Sequence, residues 1–400
     1  MFFRPLPLLL LCCCLIVACT AKSPAEPPSA EPAKPAAPEP AKPAAPEPAK
    51  PTVPEPAKPT VPEPIKAPLP FPTIADFGVN LSGAEYGKAE GAVHGRDYTF
   101  PSTKTLDYYN GKGLRLIRLP LKWERLQPVA MGPLVAKELA LLDATIAACR
   151  ERRMGLIIEP HNYARYHGKL VGGDEVPAET LKDLWAKLAA RYVDEPAIVA
   201  YGLMNEPNGT KGTWAKTAQV ALDGVRSADM KHLILVPGDS WSGAHSWVKA
   251  NPNLTIVDPA NNFAYEAHQY FDHDHSGTYK KTYEEGKANP DIGVQRLEAY
   301  LAWLKEHKAR GFLGEFGIPR DDPRWCEVLD HFVAKLKAEG IGGTYWGGGS
   351  WFGANELSID AAKDGADRPQ MAVMVKHVAA VVAPVPAPTA TATPVHVPAP

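Results

Sequence analysis

The chain has 400 residues, a formal net charge of -2 and 42 prolines that crowd toward its two ends. Setting the proline-rich ends aside leaves residues 71–382, a length that suits one large α/β domain rather than several small ones. The nearly balanced charge, without a long basic block, gives no electrostatic footprint for nucleic acid, and that class of partner is excluded.

The N-terminus reads MFFRPLPLLLLCCCLIVACT. A single Arg4 precedes an apolar run from Leu6 to Ala18 that is too short to cross a bilayer comfortably, the pattern of an export signal over residues 1–18. Ile16-Val17-Ala18-Cys19 resembles the bacterial lipobox, which implies lipidation at Cys19 and attachment of an exported protein at the cell surface. The alternative is a plain signal cut near Ala21, which would release the protein. Of the six cysteines, three lie in the signal and Cys19 follows it, so Cys149 and Cys326 could form at most one disulfide within the chain. Helical spacing with Leu142 and Ile146 instead predicts a buried free thiol at Cys149.

Residues 19–70 are dominated by an eight-residue unit, EPAKPAAP twice, then EPAKPTVP twice, then EPIKAPLP. Such a composition buries no core and predicts an extended polyproline spacer, in which roughly 40 residues reach on the order of 100 Å. A Pro/Ala/Thr tail over residues 383–400 is predicted to be equally structureless.

Between the tails, eight short apolar runs alternate with amphipathic stretches: DFGVNL, RLIRLP, GLIIEPHN, IVAYGLMNEP, LILVPG, FAYEAHQY, GFLGEFG and GGTYW. Leu181, Leu184, Trp185, Leu188 and Tyr192 share one helical face, so Trp185 is expected in the core. Asp322-Pro323 opens a later helix and Gly340 ends it. Alternation of strand and helix repeated about eight times predicts a (β/α)8 barrel.

In such a barrel the chemistry sits where the strands end. Strand two is expected to end on Arg118, strand three on His161-Asn162, strand four on Asn205-Glu206, strand six on His268 with Tyr270 beyond, strand seven on Glu315 and strand eight on Trp346. Two carboxylates facing one another across a cleft suit cleavage of a glycosidic bond, one protonating the departing oxygen and the other attacking or activating water. Arg118 and the Tyr270 hydroxyl would stabilise a Glu315 anion, whereas Glu206, after a buried strand and beside the neutral Asn205, is the better acid.

GVNLSGAEYG, RLP, HNYARY, GLMNEP, HQY, GEFG and the tryptophan of TYWGG, in this order over the whole central segment, resemble the motif series of glycoside hydrolase family 5. The HNYARY and GAEYG wording is similar to its secreted endo-β-1,4-glucanases. The resemblance implies a retaining double displacement with Glu206 as acid/base and Glu315 as nucleophile. It also implies that Arg118, His161, Asn162, Asn205, His268 and Tyr270 line the subsite of the cleaved sugar, that Trp346 is its stacking floor, and that the enzyme acts without a cofactor, as a monomer. Glu159-Pro160 departs from relatives that often carry Asp and an apolar residue there.

Sugar polymers present apolar C–H faces, so flat rings after strand ends are candidate platforms: Trp241 on the leaving-group side, with Trp247, Trp351 and Tyr86 open between platform and packing. GDSWSG lacks the glycine a nucleophile elbow needs, since Ser242 stands in its place. HQYFDHDHSG offers His268, Asp272, His273, Asp274 and His275 as metal ligands but lacks a ligand spacing, and it is read as a polar loop, with no metal expected. The expected substrate is a β-1,4-glucan cut internally. A mannan or xyloglucan substrate, or a surface protein that binds polysaccharide without cutting it, stands as the alternative.

Overall fold

The computed structural model describes residues 69–378. The signal, residues 19–68 of the linker with Cys19, and the tail, like residues 379–382 of the expected domain, lie outside the described residues.

Eight parallel strands close into a barrel in chain order. They are β1 (Phe77–Leu81), β2 (Leu116–Leu121), β3 (Gly155–Pro160), β4 (Ile198–Gly202), β5 (Leu233–Pro237), β6 (Phe263–His268), β7 (Gly311–Phe316) and β8 (Gly343–Gly348). Helices follow each strand: α1 (Thr103–Gly111), α2 (Ala136–Glu151), α3 (Ala178–Tyr192), α4 (Trp214–Arg226), α5 (Trp247–Ala250), α6 (Ile292–Glu306), α7 (Arg324–Ala338) and α8 (Pro369–His377). The (β/α)8 barrel predicted from the apolar runs is the fold. The fifth unit is irregular, since α5 is a single turn.

The strands hold because both faces are covered: outward side chains meet the helices, and inward ones fill the barrel. At the amino-terminal end the filling is apolar, with Leu116, Ile157, Ala200, Leu233, Leu235, Ala264 and Phe312 in one cluster. Above it the inward positions turn polar and charged: Asn80, Arg118, Glu159 and Glu266 are completely buried. Gly202 and Gly314 make that possible. A Cβ on Gly202 would lie 2.9 Å from Glu159 Cβ, and one on Gly314 would lie 1.9 Å from Glu266 Oε1.

Strand alternation sends neighbours to opposite faces, yet consecutive Gly314 and Glu315 both serve the interior. The register explains this. Ala267 pairs with Leu313 and His268 with Glu315 on one side, while Gly343 pairs with Leu313 and Tyr345 with Phe316 on the other. One extra residue in β7 against both neighbours is a bulge, and it re-aims Glu315 inward.

The helices follow their sequence signals. Trp185 is fully buried on α3, and its indole N–H donates to the carbonyl of Leu203 at 3.0 Å. Asp322 Oδ1 accepts the backbone N–H of Arg324 as α7 opens, and Gly340, at φ +69°, follows its end. Trp247, a platform candidate, belongs to the core: it is fully buried against Tyr265, Tyr300 and Trp303. Cys149 and Cys326 are both free, and burial pushes the Cys149 thiol up to about 12.

Because Leu203 leads directly into Asn205-Glu206, the indole of Trp185 ties α3 to the loop beyond β4. Trp185→Phe keeps most of the packing and strands that carbonyl, so it should cost about 1–3 kcal/mol, read as a lowered urea midpoint. An unchanged midpoint would contradict this role for the indole.

Candidate active site

The site grows out of Arg118. It does not end strand two, as expected, but is the third residue of β2, pointing into the barrel with no exposed surface. Its Nη1 donates to Glu315 Oε1 and to Asn80 Oδ1, both at 3.0 Å, and its Nη2 donates to Asn205 Oδ1 at 2.8 Å. Glu159 Oε1 lies 3.4 Å from Nη1, and Glu266 Oε1 lies 3.0 Å from Nε as an ion contact not aligned as a hydrogen bond. Burial opposes this charge, but the surrounding carboxylates more than offset it and hold the guanidinium above its ordinary range.

Glu315 is thereby fixed on one side by Arg118. On the other, the Tyr270 hydroxyl donates to its Oε2 at 2.9 Å. Burial, with the Glu315 and Glu206 charges adding to it, raises the Tyr270 hydroxyl well above its usual range, so it stays a donor.

Glu206 follows β4 after three residues and has φ 40°. The right-handed region is disfavoured before Pro207, and a left-handed φ is costly for a glutamate, on the order of 1–3 kcal/mol. The strain turns Glu206 over the barrel mouth. Its neighbourhood is less neutral than Asn205 alone had suggested: His268 Nδ1 lies 2.8 Å from Glu206 Oε1, and 3.6 Å from Glu315 Oε2. One oxygen of each glutamate and one His268 nitrogen all lie within 4.8 Å of one another. For His268, burial favours the neutral ring, but Glu315, Glu206 and Glu266 outweigh it and raise the imidazole to about 10.

Asn205 links both halves. Because its Oδ1 accepts from Arg118, its Nδ2 must donate to His161 Nε2, 3.1 Å away. That leaves the His161 proton on Nδ1, which faces Glu159 Oε1 at 2.7 Å. Glu159 attracts a second proton to the ring, but the Asn205 amide hydrogens leave it nowhere to go. His161 stacks on Trp346, ring centres 5.4 Å apart at 11°, which sets the indole face at the mouth. Trp346 lies within β8 rather than at its end, and its ring is only part buried.

Of the remaining expected residues, Asn162 is engaged differently. Its Oδ1 accepts the backbone N–H of Trp123 and its Nδ2 donates to Glu124, so its amide braces the loop after β2. Trp241 is half exposed, at φ 60°, edge-on to Tyr163 at 5.7 Å. With Glu206, His245, His268, Tyr270, Asp274 and His275 it lines a cavity of about 460 Å³. Trp351 is part buried, and Tyr86 is part buried with its hydroxyl on Ser82. Asp272 of the proposed metal run is spent on Ser276 and on the backbone N–H groups of Gly277 and Tyr279.

Sequence reasoning missed Asn80, Glu266, Tyr163 and the face-to-face imidazoles of His245 and His275, 3.7 Å apart. For Glu266 a signal existed: two residues before His268 in a strand is the same face. A second cavity, about 500 Å³, opens at the opposite end of the barrel beside Thr73, Lys305 and Arg310, and its walls carry no aromatic ring.

Residues 74–350 match the family Cellulase (glycosyl hydrolase family 5). Endo-β-1,4-glucanase B of Aspergillus niger is 32% identical over 289 residues, 71% of this chain and 84% of its own length. The crystal structure of the Pseudomonas stutzeri endoglucanase Cel5A in complex with cellobiose is 39% identical, with a TM-score of 0.73, covering 77% of this chain and 94% of that one. An endo-β-1,4-glucanase from Xanthomonas axonopodis pv. citri is 36% identical, with a TM-score of 0.71, covering 77% and 98%. The chain belongs to glycosyl hydrolase family 5, the cellulases, and is a glycoside hydrolase.

Proposed function

We propose that this chain is a retaining endo-β-1,4-glucanase in which Glu315 is the nucleophile and Glu206 the acid/base. One observation carries the reading: Glu206, in the loop after β4, and Glu315, on β7, bring one carboxylate oxygen each within 4.8 Å of the other in unlike surroundings. Retaining enzymes hold their carboxyl groups about 5–5.5 Å apart, whereas inverting ones leave about 6.5–9.5 Å for a water.

Glu315 receives hydrogen bonds on both oxygens, from Arg118 and Tyr270, and so is held as an aimed anion. Glu206, from the loop after β4, borders the cavity walled by Trp241, where the departing sugar would sit. In the first step Glu315 attacks the anomeric carbon while Glu206 gives its proton to the leaving oxygen. In the second, Glu206 takes a proton from water, and the resulting hydroxide breaks the glycosyl ester. Trp346 supplies an apolar face for the sugar ring, and Asn205 and His161 offer polar groups beside it.

The choice of a β-1,4-glucan rests on the named activities of the fungal and bacterial relatives and on the open, aromatic-edged cavity. The lipobox ending at Cys19 and the repeat spacer support an exported domain tethered at a bacterial surface, with reach toward an insoluble polymer.

Glu315→Ala should abolish release of reducing ends from carboxymethylcellulose, and azide should restore turnover of an aryl cellobioside as a glycosyl azide of inverted configuration. Absence of rescue would contradict the nucleophile. Glu206→Gln should lower kcat/KM on cellopentaose by about 10²–10⁴-fold and far less on 2,4-dinitrophenyl cellobioside, whose leaving group needs no proton. Equal losses would contradict the acid. EDTA should leave activity unchanged; loss restored by zinc or calcium would contradict a metal-free mechanism.

A further inference from the structure

Two completely buried carboxylates take no part in the steps above: Glu159 on β3 and Glu266 on β6. Each stands two residues before a histidine, Glu159-Pro160-His161 and Glu266-Ala267-His268, so strand alternation puts each pair on one inward face. Each lies beside Arg118, at 3.4 and 3.0 Å. Each keeps an Oε2 atom without a hydrogen-bond partner. Leaving carboxylate oxygens unpaired inside a barrel is costly, and Gly202 and Gly314 are kept bare to admit them.

The two pairs then diverge. His161 meets Glu159 with Nδ1, but its other nitrogen faces the amide N–H of Asn205, so it holds one proton only. His268 meets carboxylates with both nitrogens: Glu206 Oε1 at 2.8 Å from Nδ1, and Glu266 Oε1 at 3.4 Å from Nε2. Every near charge on His268 comes from Glu206, Glu266 and Glu315, with Arg118 behind Glu266.

We propose that Glu266 is a positioning residue for proton transfer: held by Arg118, it keeps His268 a fixed cation whose Nδ1–H is aimed at Glu206, a part that Glu159 does not play. The inference rests on the reading of Glu206 as acid/base and Glu315 as nucleophile. When Glu315 bonds to the anomeric carbon, the electron pair of the glycosidic bond goes to the leaving oxygen together with the proton of Glu206. One negative charge thereby passes from Glu315 to Glu206, and His268 keeps its own proton. The Nδ1–H of His268 is 3.6 Å from where that charge starts and 2.8 Å from where it arrives, so the imidazolium favours the transfer. Burial opposes the Glu266 anion, but Arg118 and His268 more than offset it and hold its carboxyl below the usual range, as a permanent counter-ion requires.

The test is kcat/KM of Glu266→Gln on two substrates. On cellopentaose, where the leaving sugar needs a proton, we expect a loss of at least about tenfold, part of the roughly 10²–10⁴-fold that general acids supply. On 2,4-dinitrophenyl cellobioside the expected loss is under about threefold. Glu159→Gln, which touches Arg118 but not His268, should change both substrates alike. Equal losses for Glu266→Gln, no loss, or the same split in Glu159→Gln would overturn the proposal. If Glu266→Gln does not fold, Glu266→Asp keeps the charge near Arg118, draws it back from His268 and must show the split. Should Glu206→Gln itself show no split, the acid assignment fails; should it show one while Glu266→Gln does not, this inference alone fails.

Discussion

A guanidinium with no access to water organises this protein's mouth. Arg118, on β2, donates to Glu315, Asn80 and Asn205 and is flanked by Glu159 and Glu266, contributions from β1, β3, β6, β7 and the loop after β4. Removing one partner of such a buried pair typically costs about 3–5 kcal/mol, because the charge left behind has no solvent. The barrel accepts that hazard and gains geometry from it: a carboxylate tied to an arginine that cannot move is itself fixed. Two cations, Arg118 and His268, thus stand among four carboxylates, Glu159, Glu266, Glu315 and Glu206.

Backbone irregularity does the rest of the aiming. Regular pleating would have turned Glu315 outward, and the bulge in β7 turns it in. A regular continuation of β4 would have carried Glu206 along the strand, and a left-handed φ before Pro207 folds it back over the opening. The two glutamates therefore meet through two separate local departures from ideal strand geometry, both at the carboxyl ends where barrels of this class keep their chemistry.

Much of this was legible in the chain. The barrel followed from eight apolar runs, and the meeting of Glu206 with Glu315 followed from where those runs stop. What periodicity could not supply was depth. Arg118 and Trp346 sit within their strands rather than at the ends, and an apolar run does not say which of its polar neighbours faces inward. Trp247 read equally well as platform or core, since a tryptophan after a strand end looks alike in both. Asn162 stands next to His161 in sequence, but adjacent residues leaving a strand diverge, and its amide meets Trp123 and Glu124. Asn205, the neighbour of Glu206 in sequence, suggests a neutral setting; the neighbour of Glu206 in space is His268, 62 positions away.

The central claim is that Glu315, locked by Arg118 and Tyr270, forms the bond to the sugar. Incubation with a 2-deoxy-2-fluoro-β-cellobiosyl fluoride, followed by proteolysis and mass spectrometry, tests it most directly. The account predicts one sugar adduct, on the peptide containing Glu315. A label on Glu206 or any other residue, or inactivation without a covalent adduct, would contradict it.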